Sequence, residues 1–368
     1  MSKRFEQQDR IFYCSLMITV LAAAISVWGM LAVYRTLALT GKWESFLCRQ
    51  SLWMLAAWVI FFGLLKIRFA SLLRWSFVIA GVGACAMLFL PLFGMKVNGM
   101  SGWYSLGTLT IQPSEILKGF YILALVKLLN IEQLKPLSRF AAALAVIGGF
   151  MFLLLIQPDF GTMTVYAAGG VGALYFCRVK VKYLLTAALA AVPATVAAIL
   201  LHPYMRRRLI NFFDPTLDPG GGSWHLRQFC TAIARGEWFG VKGDMAVWSN
   251  SFLPLSHNDS IFAGMCEMLG FFGALVLLML YAVWFYQMYS LSYWRHDPVR
   301  RMVIDSMACM IMLQCIIHIL VNLGMVPPTG ITLPLVSYGG SSAVGTMIMI
   351  AVIIIAGRKE KRSDSQSI

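Results

Sequence analysis

Charged residues are scarce in this sequence. Asp, Glu, Lys and Arg together make up 12% of the 368 residues, whereas hydrophobic residues make up 59%, and the mean hydropathy is +0.74. Because a typical soluble domain contains about 25% charged residues, this composition excludes an ordinary water-soluble domain. The apolar runs are continuous rather than alternating, and backbone groups in lipid must be satisfied within their own segment. The sequence therefore predicts an integral membrane protein made of helices.

Acidic residues are scarcer than basic ones, with 16 Asp and Glu against 30 Lys and Arg. The basic residues are spread in small groups between the apolar runs, so they are interpreted as orientation signals, and no nucleic-acid partner is expected. The eight cysteines include no C-x-x-C pair and mostly fall inside apolar runs. They are interpreted as small packed hydrophobes, and neither a disulfide framework nor a zinc site is expected.

The apolar runs are long enough to cross a bilayer, which takes roughly 20 residues of helix. The sequence predicts a single-domain, all-α polytopic membrane protein over residues 1–368, with about ten transmembrane helices. A large extracytoplasmic loop is expected over 202–259, between helices 7 and 8, and a cytoplasmic tail over 357–368. The predicted spans are about 11–35, 47–65, 75–96, 114–130, 138–156, 160–177, 183–201, 260–290, 302–325 and 338–356.

The distribution of positive charge orients the predicted bundle. An even number of spans places both termini on one side. If the N-terminus, with Lys3, Arg4 and Arg10, is cytoplasmic, most basic residues fall in inside connections, and the outside connections near 157–159 and 326–337 carry none. The positive-inside rule therefore predicts cytoplasmic termini and an extracytoplasmic large loop. The same basic start favours an uncleaved first span over a removable signal peptide.

The large loop carries many cations on the side where topology does not need them: Arg206, Arg207, Arg208, Arg227, Arg235 and Lys242. Long loops escape the charge rule, so these cations are interpreted either as a solvated surface or as contacts for an anion. Trp224, Trp238 and Trp248 are typical of a segment lying along the membrane surface. Asp259 lies where this polar segment returns to an apolar helix, which makes it the first candidate for chemistry.

The run Gln112-Pro113-Ser114-Glu115-Ile116-Leu117-Lys118 opens the fourth predicted span. Ser114 is expected to cap this helix, and Glu115 and Lys118 have the i, i+3 spacing of an ion pair on one helix face. A lone charge at mid-membrane costs about 2.5–3.5 kcal/mol, so the two residues are expected to pair and to face the bundle interior. Two interpretations stay open: the pair braces two helices, or it shares a cavity with Asp259.

Other polar residues at the predicted outer end also allow two interpretations. Asp159, in the turn Gln157-Pro158-Asp159-Phe160-Gly161, is expected either to cap the next helix or to belong to a polar site. Arg49 either snorkels to the interface or contacts a ligand. The segment from Ser337 to Ser342 contains Gly339 and Gly340, which are typical of close helix packing or of a ligand-binding backbone. The histidines His202, His225 and His257 do not have the helical spacing of a zinc-ligand pair.

Taken together, these motifs resemble the FtsW/RodA/SpoVE family, the SEDS proteins of shape, elongation, division and sporulation. The resemblance covers most of the chain in family order. It runs through Arg49-Gln50, Asn98-Gly99 with Trp103, Gln112 to Lys118, Gln157 to Gly161, Arg208 to Pro215, Trp224 to Gln228, Pro254 to Gly270 and Asn322 to Ser342. The chain departs from the family pattern at Gly102, where Arg or Lys is usual, at Leu255, where an acidic residue is usual, and beside Asp259, where Asn258 and Ser260 replace the commoner Thr and Phe.

The resemblance implies a peptidoglycan glycosyltransferase in the bacterial cytoplasmic membrane. Such an enzyme polymerises lipid II on the outer face and usually works with a class B penicillin-binding protein. Asp259 matches the essential loop aspartate of the family, Glu115 and Lys118 match its buried pair, Asp159 its Pro-Asp motif, and Arg49 its outer arginine. Gln112, His257 and Ser337 lie in the matching segments and are added as candidates for substrate contact.

The implied reaction needs few groups, because pyrophosphate leaves without a protonating acid. A single base, Asp259, would suffice to take the proton from the attacking hydroxyl, and Arg206, Arg207, Arg208 and Lys118 are the candidate cations for undecaprenyl pyrophosphate. No tightly bound cofactor is expected, although a divalent cation, Mg²⁺ or Mn²⁺, is compatible with this chemistry.

Two other classes stay open from the sequence, a lipid II flippase and a non-catalytic scaffold for the penicillin-binding protein. A flippase would use the Glu115 and Lys118 pair and Asp159 as a polar path through the bundle, whereas in a scaffold Asp259 would be dispensable. The motifs do not separate a division role from an elongation role.

Overall fold

The computed structural model describes residues 2–41, 43–97, 100–107, 109–201, 203–214, 222–241 and 246–358. Twelve α-helices occupy most of these residues. They are α1 (Ser2–Leu37), α2 (Trp43–Leu64), α3 (Phe69–Phe93), α4 (Pro113–Leu129), α5 (Pro136–Ile156), α6 (Phe160–Phe176), α7 (Val181–Leu201), α8 (Pro203–Phe213), α9 (Gly222–Gly236), α10 (Ile261–Tyr293), α11 (Pro298–Asn322) and α12 (Gly340–Gly357). The helical membrane fold expected from the composition is therefore confirmed.

Each of the ten predicted spans coincides with one long helix, namely α1 to α7 and α10 to α12. Within the described residues, seven helices are long and apolar enough to cross a membrane: α1, α2, α3, α5, α10, α11 and α12. Helices α4 and α6 have 17 residues each, which at 1.5 Å per residue reach about 26 Å, slightly less than the ~30 Å hydrocarbon core. The total of ten spans stays a prediction.

A small antiparallel sheet, which was not predicted from the sequence, lies between α3 and α4. Its strands are β1 (Met95–Val97), β2 (Met100–Leu106) and β3 (Leu109–Ile111), in the order β1-β2-β3. Tyr104 of β2 donates a hydrogen bond to the carbonyl of Ala86 in α3 at 2.7 Å, which ties the sheet to the bundle. The sheet delivers the chain to the first turn of α4.

Helix α12 forms the centre of the bundle, because nearly all its side chains are buried and it packs against α2, α4 and α11. The glycines at its start allow this close approach. A Cβ at Gly345 would collide with the backbone carbonyl of Glu115, and one at Gly340 would collide with the ring of Trp53. Close packing therefore explains these two glycines without a ligand.

Between α7 and α10 the chain forms the amphipathic helices α8 and α9 and a short π-helix (Trp248–Phe252). The segment 236–241, which follows α9 directly, fills a break in α10 at Gly270, whose φ is +66°. There the amide of Phe271 donates to the carbonyl of Glu237 at 2.9 Å, so backbone groups freed by the break find protein partners. Predictions for His202, Lys242 and the tail after residue 358 lie outside the described residues.

Candidate active site

The start of α4 differs from the expected Ser cap. Pro113 occupies the first helical turn, where its missing N–H costs no hydrogen bond, and Gln112 takes the N-cap position without a side-chain cap bond. The Ser114 hydroxyl accepts and donates no hydrogen bond among the described residues, so the prediction that it caps α4 is wrong. The side-chain amide of Gln112 instead donates a hydrogen bond from Nε2 to Oδ2 of Asp159 at 2.9 Å.

Glu115 and Lys118 form the predicted ion pair, with 2.6 Å between Nζ and Oε1. Both residues are buried; Lys118 is only 1% exposed. The Lys118 ammonium also donates to Oε1 of Gln314 on α11 at 2.9 Å. The pair therefore faces the bundle interior, as expected, and it also links α4 to α11.

Helix α11 carries a stripe of buried polar side chains that the sequence analysis did not single out. Gln314, His318 and Asn322 recur every fourth residue, which places them on one helix face. Gln314 also donates a hydrogen bond from Nε2 to the carbonyl of Thr332 at 2.9 Å. The spacing of three polar residues in an apolar helix was a signal available in the sequence, because polar groups inside a membrane face the bundle interior.

Asp159 performs the predicted capping role and also contacts the site. Its Oδ1 accepts from the amide of Thr162 at 3.0 Å at the start of α6, while its Oδ2 accepts from Gln112. The side chain is only 3% exposed. Asp159 interacts electrostatically with Glu115 and Lys118 on one side and with Asp259 on the other. Both interpretations of Asp159 thus describe the same carboxylate.

Asp259 lies in the turn immediately before α10, held by its backbone. Asn322 donates from Nδ2 to the carbonyl of Asp259 at 3.0 Å, and its Oδ1 accepts from the amide of Ala263 at 3.1 Å. The Oδ1 atom of Asp259 is buried and makes no hydrogen bond among the described residues. The backbone is therefore fixed while one carboxylate oxygen is left available to a ligand.

The electrostatic surroundings of Asp259 suit a base near neutral pH. Burial raises the pKa of Asp259 to about 6, the positive charge of Arg208 acts to lower it, and the negative charge of Asp159 acts to raise it. A carboxyl group with a pKa of about 6 is ionised at pH 7 and yet more basic than an ordinary aspartate. This combination is typical of a functional carboxylate.

The turn 325–330 connects Arg208 with Asp259. Arg208 donates from Nη1 to the carbonyl of Pro328 at 2.8 Å, and a Cβ at Gly330 would lie 3.5 Å from Oδ2 of Asp259. Arg206 and Arg207 are exposed on α8, whereas Arg208 is half-buried. Of the three consecutive arginines, the structure brings Arg208 to Asp259.

The remaining candidates lie around the segment before α12. Ser337 is buried, and its hydroxyl donates to the carbonyl of Asn258 at 2.8 Å, bracing the turn that carries Asp259. The His257 ring packs edge-on against Phe46 with centroids 4.7 Å apart, and burial lowers its pKa to about 4, so it is neutral at pH 7. Arg49 is exposed and hydrogen-bonds the Tyr338 hydroxyl.

Lys118 and Asp259 are held to the same face of α11, through Gln314 and Asn322. These two anchors are eight residues apart, or about 12 Å along the helix axis, and Asp159 interacts with the charges at both ends. The arrangement places a carboxylate, a buried ammonium and an arginine in one polar region at one end of the bundle. Within the described residues, no group of three or more His, Cys, Asp and Glu side chains is arranged to hold a metal ion.

The sequence matches the model of the cell cycle protein family FTSW_RODA_SPOVE over residues 9–362. It is 33% identical over 323 residues to the probable peptidoglycan glycosyltransferase FtsW of Nitrosococcus halophilus, covering 85% of this chain and 83% of that protein. It is 36% identical over 317 residues to the probable peptidoglycan glycosyltransferase FtsW of Halorhodospira halophila, covering 81% of this chain and 80% of that protein.

Two solved structures share the fold. One is a chain from a study of the structural coordination of polymerization and crosslinking by a peptidoglycan synthase complex. It has a TM-score of 0.78 and 26% identity and covers 92% of this chain and 96% of its own. The other is the rod shape determining protein RodA of Thermus thermophilus, with a TM-score of 0.69 and 24% identity, covering 92% and 95%. At that identity the second likeness shows the fold alone.

Proposed function

This chain belongs to the FTSW_RODA_SPOVE family of cell cycle proteins, and from that premise we propose that it is a peptidoglycan glycosyltransferase that joins lipid II units into glycan strands. Its FtsW relatives at 33% and 36% identity are named as probable peptidoglycan glycosyltransferases. The observation that carries the proposal is the Asp259 carboxylate, with its fixed backbone, an Oδ1 atom that has no hydrogen-bond partner among the described residues, and its pKa of about 6.

Asp259 acts as the general base of the reaction. Its carboxylate takes the proton from a sugar hydroxyl of the acceptor, whose oxygen forms a new bond to the anomeric carbon of the donor. The bond between that carbon and the pyrophosphate oxygen breaks, and undecaprenyl pyrophosphate leaves with the electron pair. Because the leaving group is already an anion of a strong acid, one carboxyl group is enough, in contrast to glycoside hydrolysis, which uses two.

The leaving pyrophosphate needs positive charge close to Asp259. Arg208 is the best-placed cation, because its positive charge acts on Asp259 and a hydrogen bond to the carbonyl of Pro328 holds its guanidinium beside the turn 325–330. Lys118 supplies a second, buried cation, although two of its three N–H groups are committed to Glu115 and Gln314. Arg206 and Arg207 are exposed on the same helix as Arg208 and would meet the more distant parts of the substrate.

A divalent ion, Mg²⁺ or Mn²⁺, would fit this site only together with substrate. Asp259 offers one carboxylate oxygen without a hydrogen bond among the described residues, and Mg²⁺ commonly binds one or two carboxylates plus substrate phosphates. Such an ion would neutralise pyrophosphate charge. No tightly bound cofactor is proposed.

The membrane setting follows from the same geometry. The multi-pass bundle keeps the polyprenyl tails in lipid, while the head groups meet at the end of the bundle that carries Asp259. We place this end outside the cell and both termini in the cytoplasm, in accordance with the positive-inside rule. A class B penicillin-binding protein is the proposed partner, supported by the likeness to a chain of a peptidoglycan synthase complex.

Purified protein incubated with lipid II and a divalent ion tests the function, with products separated on a gel. We expect glycan polymer from the native chain and none from Asp259→Asn. The matched control is Glu44→Gln, an exposed carboxylate in the first turn of α2, which should keep full activity. Polymer from Asp259→Asn would remove Asp259 from the mechanism. Headgroup translocation in vesicles without polymer would favour a flippase, and neither activity would favour a scaffold.

A further inference from the structure

A second site is suggested by a groove at the opposite end of the bundle from Asp259. The groove has a volume of about 670 Å³ and lies between α1, α2, the connection from α10 to α11, and the end of α12. This volume is in the range of ~300–1,000 Å³ that is usual for ligand sites. We propose that the groove binds an anionic phospholipid of the bilayer leaflet that faces this end, with the phosphate at its polar mouth and one acyl chain along α1.

Cations from two separate elements meet at the mouth of the groove. Arg295 comes from the α10–α11 connection, and Arg358 comes from the end of α12. The position of Arg358 is fixed at both ends: its Nη1 donates to the carbonyl of Leu65 at 3.1 Å, and its own carbonyl accepts from Arg300 at 2.9 Å. A guanidinium held in this way keeps other N–H donors for a phosphate oxygen.

The acidic residue in the lining, Asp297, does not cancel this positive charge. Its Oδ1 accepts from the amides of Val299 and Arg300 at the start of α11, and its Oδ2 lies 3.4 Å from Nε of Arg300. Asp297 is thus engaged as a helix cap and ion-pair partner. The mouth of the groove therefore has a net positive charge, which matches an anionic headgroup.

Below the mouth, the walls of the groove are mainly apolar, and the hydroxyls of Ser15 and Thr19 in the lining donate to carbonyls of α1 itself. Successive turns of α1 line it from Gln7 to Thr19, which corresponds to about 18 Å along the helix axis. This length is close to half of the ~30 Å hydrocarbon core, the depth of one leaflet. Phe12 and Phe62 line the wall and are 70% and 56% exposed, as expected of side chains that face lipid.

Charge complementarity favours a lipid over a segment of this chain as the occupant. The groove matches the two parts of a glycerophospholipid. Its positively charged mouth suits the phosphate headgroup, and its mainly apolar channel, about one leaflet deep, suits an acyl chain. The residues that follow Arg358 contain more Lys and Arg than Asp and Glu, so they would add positive charge rather than neutralise it. The groove uses no residue assigned to lipid II polymerisation, and the proposal stands apart from that function.

The test is a titration of phosphatidylglycerol into full-length protein in phosphatidylcholine nanodiscs, with bound lipid counted by mass spectrometry. We expect the native chain to bind one phosphatidylglycerol in preference to phosphatidylcholine. Arg295→Gln combined with Arg358→Gln should weaken binding about tenfold, because two charge-assisted contacts are lost. Ser15→Phe, which fills the groove and leaves its charges intact, should also weaken binding. Thermal unfolding of each variant verifies that it is folded.

The matched control is Lys135→Gln combined with Lys180→Gln, two exposed cations outside the groove at the same end of the bundle. The control should bind phosphatidylglycerol as the native chain does. An equal loss in the control, no preference over phosphatidylcholine, or equal binding of soluble glycerol phosphate would overturn the proposal. Tighter lipid binding after deletion of residues 359–368 would also overturn it, since the chain's own tail would then be the occupant.

Discussion

The ammonium of Lys118 on α4 donates a hydrogen bond to the side-chain oxygen of Gln314 on α11 at 2.9 Å, in addition to its ion pair with Glu115 at 2.6 Å. The contact joins residues 196 positions apart in the sequence. It makes the ion pair part of the wall of the candidate active site, because the same face of α11 continues through His318 to Asn322, which holds Asp259. The predictions below test whether these contacts serve catalysis or only folding.

The Glu115 and Lys118 pair gives the first prediction. Lys118→Met alone leaves a buried carboxylate without its partner and should lower the free energy of unfolding by about 3–5 kcal/mol. Combining it with Glu115→Gln removes both charges and should restore most of the stability but none of the polymerase activity. Thermal unfolding in detergent and the lipid II gel assay measure the two effects. Native activity in the double variant would mean that the pair only braces the helices.

The pH dependence of turnover gives the second prediction. Asp259 must be ionised to accept a proton, and its pKa is about 6, so kcat should fall as the pH drops below about 6. Arg208→Gln removes a positive charge that lowers this pKa, which should move the acid limb to higher pH. Asp159→Asn removes a negative charge that raises it, which should move the limb to lower pH.

Arg206→Gln is the control for the pH profile, because Arg206 is exposed on the same helix as Arg208. Its acid limb should stay at the native position. If Arg208→Gln and Arg206→Gln shift the limb equally, the effect belongs to the general charge of α8 rather than to a specific interaction with Asp259.

Asn322 gives the third prediction. Asn322→Ala removes the donor to the Asp259 carbonyl and the acceptor for the Ala263 amide, two buried contacts whose loss should cost about 1–3 kcal/mol. We expect kcat to fall more than tenfold while the protein remains folded, because Asp259 is no longer held in place. Asn130→Ala is the control, since Asn130 bonds the carbonyl of Val126 at 2.8 Å far from the site. Equal kcat in the two variants would contradict a positioning role.

Gly161 gives the fourth prediction. A Cβ at Gly161 would collide with the carbonyl of Thr329 in the turn 325–330. The same turn accepts a hydrogen bond from Arg208 and passes close to Asp259. Gly161→Ala should therefore displace this turn and lower both stability and turnover. Gly148→Ala is the control, because a Cβ at Gly148 in α5 has open space around it, and replacing a helical glycine with alanine should be neutral or stabilising by up to about 1 kcal/mol. Unchanged turnover in Gly161→Ala would show that the turn tolerates displacement.

Contacts between neighbours in the sequence were predicted most successfully. The i, i+3 spacing of Glu115 and Lys118 requires only a helix for the two side chains to meet, and the capping role of Asp159 requires only that α6 begin after it. The prediction of a Ser114 cap was wrong because the N-cap position is Gln112, two residues earlier, and Ser114 already lies inside the first turn. The small β-sheet between α3 and α4 was not predicted, because its strands are short and carry no clear alternation.

The sequence by itself determined that the chain is a helical membrane protein and that Asp259 is the residue to suspect. Long continuous apolar runs are stable in lipid only as helices, because the backbone hydrogen bonds must be made within each segment. A carboxylate next to such a run indicates a functional site. Only the tertiary structure decided that Arg208, rather than Arg206 or Arg207, lies close enough to act on the charge of Asp259, and that α11 holds both Asp259 and Lys118. These contacts depend on how helices that are distant in the sequence pack together. The spacing of residues along one helix does not indicate which face of another helix they will contact.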